Sequence, residues 1–110
     1  MKKTQLGEFE EIVLLTIAVL HNDAYGVSIK NELESRLGYG TSVGALQTAL
    51  KRLEEKGYLD SAWGETSNVR GGKRKKYYKI TASAQKALQE IKDIRAQLWS
   101  EIPSIVLKFT

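Results

Sequence analysis

The amino-acid sequence predicts a mainly α-helical fold with one small β-hairpin and a long C-terminal helix. Two observations carry that class. Apolar residues recur at helical spacing through three successive segments between Glu8 and Glu55 and again from Ala82 onward. Between them, Tyr58–Trp63 alternates Leu59 and Trp63 with polar residues, and Tyr77–Thr81 is aromatic and β-branched, as in two short strands.

The first helix spans residues 8–20, with Phe9, Ile12, Val13, Ile17 and Leu20 on one stripe and Leu14, Leu15, Ala18 and Val19 widening it. A helix apolar around most of its circumference calls for burial on more than one side, and in so small a chain that points to a second subunit. His21-Asn-Asp23 closes it as a polar turn. The second helix runs from about Gly26 to Leu37, its stripe formed by Ile29, Leu33 and Leu37, and is followed by Gly38 and Gly40. Ser42 is suited to cap the third helix, because its hydroxyl oxygen can accept an otherwise unpaired backbone N–H. That helix turns Leu46, Ala49, Leu50 and Leu53 inward and Gly44, Gln47, Thr48, Lys51 and Glu55 outward, and Gly57 ends it.

The connection between the strands, roughly residues 64–75, is too long for a tight turn, and long connections in compact domains are commonly functional. It leads into the stretch Arg70–Lys79, which carries six positive charges and no negative one in ten residues. Without those six, the formal charge of +4 would become −2, so the chain is basic in one place only. Three helices followed by a hairpin with a basic tip form a winged helix-turn-helix pattern, in which residues 1–81 make up one unit. After Thr81, a plausible cap, Ala84, Ala87, Ile91, Ile94 and Leu98 step by threes and fours, a seam suited to a dimer helix. Pro103 forbids regular continuation, so residues 82–110 read as a dimerisation segment with a kink or stop near Pro103, beyond which Ile105, Val106, Leu107 and Phe109 are expected to fold back onto an apolar surface.

A localised cationic hairpin beside an amphipathic helix has what recognition of double-stranded DNA requires: charge for phosphates and a helix for the major groove. On the helix the candidate contacts are Ser42, Gly44, Gln47, Thr48 and Lys51. On the hairpin they are Arg70, Lys73, Arg74, Lys75 and Lys76. The competing accounts are an ordinary solvated helix face and a merely solubilising charge run. Gly44 favours close approach to a partner, since glycine costs about 1 kcal/mol relative to alanine in a helix. A one-sided cationic patch likewise adds self-repulsion without structural return. Tyr78, with Ile80, reads as core; Tyr25 reads as a packing residue, as does Tyr77, with a phosphate contact through its hydroxyl as the alternative, and Trp63 as core or a partly exposed sheet residue.

Other function classes lack the necessary residues. The chain has no cysteine and one histidine, so a thiolate metal site is excluded and any Ser-His-Asp arrangement would rest on His21 alone. Gly71-Gly72 lacks the spacing of a phosphate loop. Glu8, Glu10 and Glu11 bunch at a helix start, where they complement the helix dipole. Neither a catalytic reaction nor a cofactor is suggested. No run of eighteen apolar residues suggests a membrane span, and the N-terminus turns acidic where a signal peptide would turn apolar, so a cytoplasmic location is expected.

Five ordered motifs resemble the PadR family of transcriptional regulators. They are Leu6-Gly-Glu-Phe-Glu-Glu-Ile-Val-Leu-Leu15, Ala24-Tyr-Gly-Val27, Val43-Gly-Ala-Leu46, Leu50-Lys-Arg-Leu-Glu-Glu-Lys-Gly57 and Gly71-Gly-Lys-Arg-Lys-Lys-Tyr-Tyr-Lys-Ile-Thr81. The resemblance covers about residues 6 to 88. It implies a homodimeric winged-helix protein, usually a repressor of a palindromic operator. The third helix would enter the major groove, the wing would touch the minor groove or backbone, and the C-terminal helix would dimerise. The short C-terminal part is similar to the compact branch, some members of which hold a flat aromatic effector between tryptophans at the dimer centre. Ile91, Arg95, Leu98 and Trp99 are the corresponding candidates for effector or dimer contacts. Two positions depart from the family pattern. Gln47 stands where tyrosine is common, and Trp99 lies about one turn beyond the stacking tryptophan, with Arg95 nearer that place. An interaction module whose basic hairpin docks on an acidic protein is the alternative from another class.

Overall fold

A computed structural model describes residues 6–64 and 74–107. Four helices and one antiparallel hairpin follow in the order α1 (Glu8–Leu20), α2 (Gly26–Leu37), α3 (Val43–Glu55), β1 (Leu59–Trp63), β2 (Lys76–Ile80) and α4 (Ala82–Glu101). Short 3-10 turns at His21–Asp23 and Ser104–Leu107 complete it. This is the mainly α winged helix-turn-helix that the patterning predicts.

Local chemistry sets the helix limits. The Gly7 N–H donates to Glu10 Oε1 at 3.1 Å, so the third helical residue closes the start of α1. Ser28 does the same for α2, accepting the Tyr25 N–H at 2.9 Å. Gly38, at φ 79°, takes the left-handed turn that ends α2. Ser42 Oγ accepts the Ala45 N–H at 3.0 Å and opens α3. Thr81 Oγ1 accepts the Ala84 N–H at 3.2 Å to open α4 while its hydroxyl donates to the Gly57 carbonyl at 2.7 Å. Capping duty removes Thr81 from the second strand, which therefore lies at Lys76–Ile80, one residue earlier than its pattern suggests. The first strand starts one residue late because the Tyr58 N–H is held by the Leu53 carbonyl at 2.9 Å.

Strand register pairs Leu59 with Ile80, Ser61 with Tyr78 and Trp63 with Lys76. The Tyr78 N–H also reaches the Ala24 carbonyl at 2.8 Å, and Tyr25 bridges Tyr77, so the segment before α2 covers the far edge of the hairpin. Leu14 and Ile17 of α1, Ile29 and Leu33 of α2, and Leu46, Leu50 and Leu53 of α3 fill the core, which Leu59 and Tyr78 close from the hairpin side.

α4 joins that core only at its start, where Ala84 and Ala87 are buried. Farther along, Ile94, Leu98 and Trp99 are exposed, and the molecule measures 61 × 39 × 22 Å. Ile102 is extended at φ −69°, ψ 124°, as the residue before proline should be, so Pro103 produces a stop. The expected fold-back does not occur within the single chain: Ile105 and Val106 are 75% and 61% exposed. The core around α1–α3 is already filled, and Ile94, Leu98 and Trp99 of α4 stay uncovered as well. Phe109 lies outside the described residues.

Candidate nucleic-acid interface

α3 sorts its residues cleanly. Leu46, Ala49, Leu50 and Leu53 are buried, whereas Ser42, Gly44, Gln47, Thr48 and Lys51 are all exposed along the opposite side. The predicted helix contacts are thus brought together on one accessible surface. Ser42 has a prior commitment, because its oxygen serves the cap. Gly44 leaves open space, with no atom within 4 Å of where a Cβ would sit. Gln47 lies at the edge next to the start of α2, where a Cβ on Gly26 would come 3.8 Å from Gln47 Nε2.

Two contacts hold this helix at a fixed attitude. Glu34 Oε2 accepts both the Lys30 ammonium at 2.8 Å and the Thr41 N–H at 2.7 Å, fastening the turn that precedes α3. The Lys30 and Thr41 hydrogen bonds outweigh desolvation, keeping the Glu34 carboxyl below its ordinary value. At the other end Lys56 Nζ meets Glu10 Oε1 at 2.9 Å and ties α3 to α1. Burial pushes Glu10 up, but the Lys56 hydrogen bond, the Gly7 N–H and the charges of Lys56 and Arg52 together prevail, so its carboxyl sits below the ordinary glutamate range.

At the base of the wing, three cations stand over aromatic rings. The Arg74 guanidinium lies 5.9 Å from the Trp63 ring centre and donates to the Gly64 carbonyl at 3.1 Å. Lys75 Nζ lies 4.2 Å from the Tyr25 ring centre, and Tyr25 meets Tyr77 edge-on at 5.5 Å. An aromatic face orients a cation without neutralising it, so Arg74 and Lys75 keep their charge for an anion. The two tyrosines act as packing residues here, as does Tyr78, which is buried; Trp63 is 59% exposed and serves as a platform. Lys76, over the Tyr78 ring, differs. Its ammonium lies 3.6 Å from Glu54 Oε1 on α3, so part of its charge is met within the chain. Arg70 and Lys73 lie outside the described residues.

One cation escapes the sequence reading. Arg52 is exposed and lines, with Gly44 and Thr48, a groove between α3 and the start of α1. Its spacing of four from Thr48 is the available signal.

The candidates on α4 do not behave as one group. Leu98 and Trp99 are exposed and Ile91 is half-buried, but Arg95 Nη2 is engaged by Glu11 Oε1 of α1 at 3.0 Å. Leu15, Ile80, Leu88 and Arg95 line a groove between α1 and α4. Among the described residues there is no group of three His, Asp or Glu side chains that could hold a metal ion, and no helix long and apolar enough to cross a membrane.

Comparison with known proteins accords with this geometry. Residues 14–90 match the model of the transcriptional regulator PadR-like family. An uncharacterised protein of Lysinibacillus sphaericus is 31% identical over 102 residues, which span 91% of this chain and 85% of that one. A PadR-like transcription factor of Bacteroides fragilis is 25% identical over 84% of both chains, with a TM-score of 0.67. A PadR family transcription regulator of Clostridium difficile is 26% identical, covering 91% of this chain and 99% of its own, with a TM-score of 0.65. A PadR-like regulator of Bacillus cereus, 20% identical over 92% of this chain and 93% of its own, shares the fold at a TM-score of 0.71.

Proposed function

The chain belongs to the PadR-like family of transcriptional regulators, which are DNA-binding proteins and not enzymes, and from that membership we propose that it is a repressor binding a palindromic operator as a homodimer. Residues 1–81 form the DNA-binding unit and residues 82–110 the dimerisation segment. The observation that carries this reading is the pairing of an exposed polar helix face, Gln47, Thr48 and Lys51, with wing cations Arg74 and Lys75 held on aromatic rings beside it. α3 reads base edges, while Arg74, Lys75 and the rest of the basic run neutralise phosphates; Lys76 contributes less, being drawn toward Glu54. Two recognition helices related by a two-fold axis require half-sites about 10 bp apart or a multiple of it.

The exposed stripe of α4 supports the homodimer. Ile94, Leu98 and Trp99 are too apolar to be left in water on a helix with so little domain beneath it. A small aromatic compound entering between the two Trp99-bearing helices is the candidate effector. To release the operator it must bind the DNA-free arrangement more tightly than the bound one.

Substitution separates the two roles. Gln47→Ala should cost about 1–3 kcal/mol of discrimination between operator and scrambled duplex. Lys75→Ala should weaken binding to all sequences alike and flatten the dependence of log K on log salt by about 0.9. If neither change alters binding, α3 and the wing are not the DNA surface.

A further inference from the structure

The leading turn of a recognition helix is the part that contacts base edges most directly. In α3 that turn is nearly empty of polar reach. The Ser42 oxygen is occupied by the Ala45 N–H, Gly44 has no side chain and Ala45 only a methyl. Val43 is the largest exposed side chain there, with 60% of its surface open. It is also one helical turn ahead of Gln47, a spacing of four that sets both on one line of the helix. Gly44 beside it leaves open space, so no side chain holds the helix away from whatever it meets.

A branched aliphatic group cannot exchange hydrogen bonds with a base. The feature it can recognise on the major-groove floor is the thymine C5-methyl, which each A·T pair displays there and no G·C pair does. We propose that Val43 is a specificity-determining residue that packs on a thymine methyl, at a base pair next to the one Gln47 addresses. Glutamine pairs best with adenine, so the two side chains together would select neighbouring A·T pairs within each half-site. This rests on the assignment of α3 as the DNA-reading helix, and extends it from a polar surface to a mixed one.

Replacing thymine by uracil removes that methyl and leaves all base-pairing groups in place. A duplex selected from a random library with the intact protein supplies the probe, and each thymine of its half-sites is changed to uracil in turn. Fluorescence anisotropy then compares the wild-type protein with Val43→Ala. The expected result is one thymine per half-site whose methyl loss weakens wild-type binding about fourfold, the scale of one buried methyl group. Val43→Ala should bind the thymine duplex about fourfold more weakly and show no further loss on uracil. Wild-type indifference to uracil at every position would overturn the proposal, as would a Val43→Ala protein that remains as sensitive as the wild type. Failure of the wild-type protein to prefer the selected duplex over a scrambled one would instead remove the DNA-reading assignment, and this proposal with it.

Discussion

Leu50 of α3 and Leu98 of α4 are the same side chain on the same kind of surface stripe, yet one is 1% exposed and the other 62%. The difference follows from what each helix has to pack against. α3 is enclosed by α1, α2 and the hairpin, so its apolar face meets Leu14, Ile29 and Leu33 within the same chain. α4 meets that core through Ala84 and Ala87, and then continues beyond it with Ile94, Leu98 and Trp99 uncovered. Apolar periodicity therefore has two meanings in this chain. Across α1–α3 it specifies a core, whereas beyond Ala87 of α4 it leaves Ile94, Leu98 and Trp99 on the surface.

Substitutions at the two leucines should diverge accordingly. Leu50→Ala is expected to destabilise the fold by about 2–5 kcal/mol, as lost burial adds to the cavity it leaves. Its chemical-denaturation midpoint should fall at every protein concentration. Leu98→Glu should instead leave the secondary structure intact and weaken self-association by at least about tenfold, since an unpaired charge must then be buried between subunits. Sedimentation across a concentration series distinguishes the two, and an unchanged dimer in Leu98→Glu would break the comparison.

A smaller effect concerns how the reading helix is held. Because the folded chain keeps Glu10 below its ordinary value, its ion pair with Lys56 stabilises the fold at neutral pH. That contribution is fully present above the unfolded value and disappears as pH falls through the lower folded one. Glu10→Gln should therefore be less stable than the wild type at neutral pH, and the two should converge in acid. Denaturant titrations at both ends of that window check it. Smallest of all, Arg95→Ala removes a bond to Glu11 whose arginine is 59% exposed, so it should cost less than about 1 kcal/mol in thermal melts.

Helix limits were legible wherever a local residue decides them, as Ser42, Gly38 and Thr81 do. The exposed face of α3 was legible too, because helical spacing alone separates Gln47, Thr48 and Lys51 from Leu46, Leu50 and Leu53. Contacts across long stretches of chain were not. Nothing near Lys76 announces Glu54, whose approach depends on strand register, and Arg95 meets Glu11 from 84 residues away. The aromatic platforms under Arg74 and Lys75 likewise need the hairpin to bring Trp63 and Tyr25 to them. The tail shows a related limit. Its apolar residues call for a partner, but a sequence does not say whether that partner lies in the same chain.

The most direct measurement is fluorescence anisotropy of the wild-type protein on a duplex from the region upstream of its own gene, against scrambled DNA, at two salt concentrations. A polar helix face backed by charged wing residues predicts tight binding to the upstream duplex, clear discrimination against the scrambled one and a steep loss of affinity with salt. Equally weak binding to both duplexes, fading together as salt rises, would contradict an operator-reading surface and leave the basic hairpin as a dock for an acidic protein.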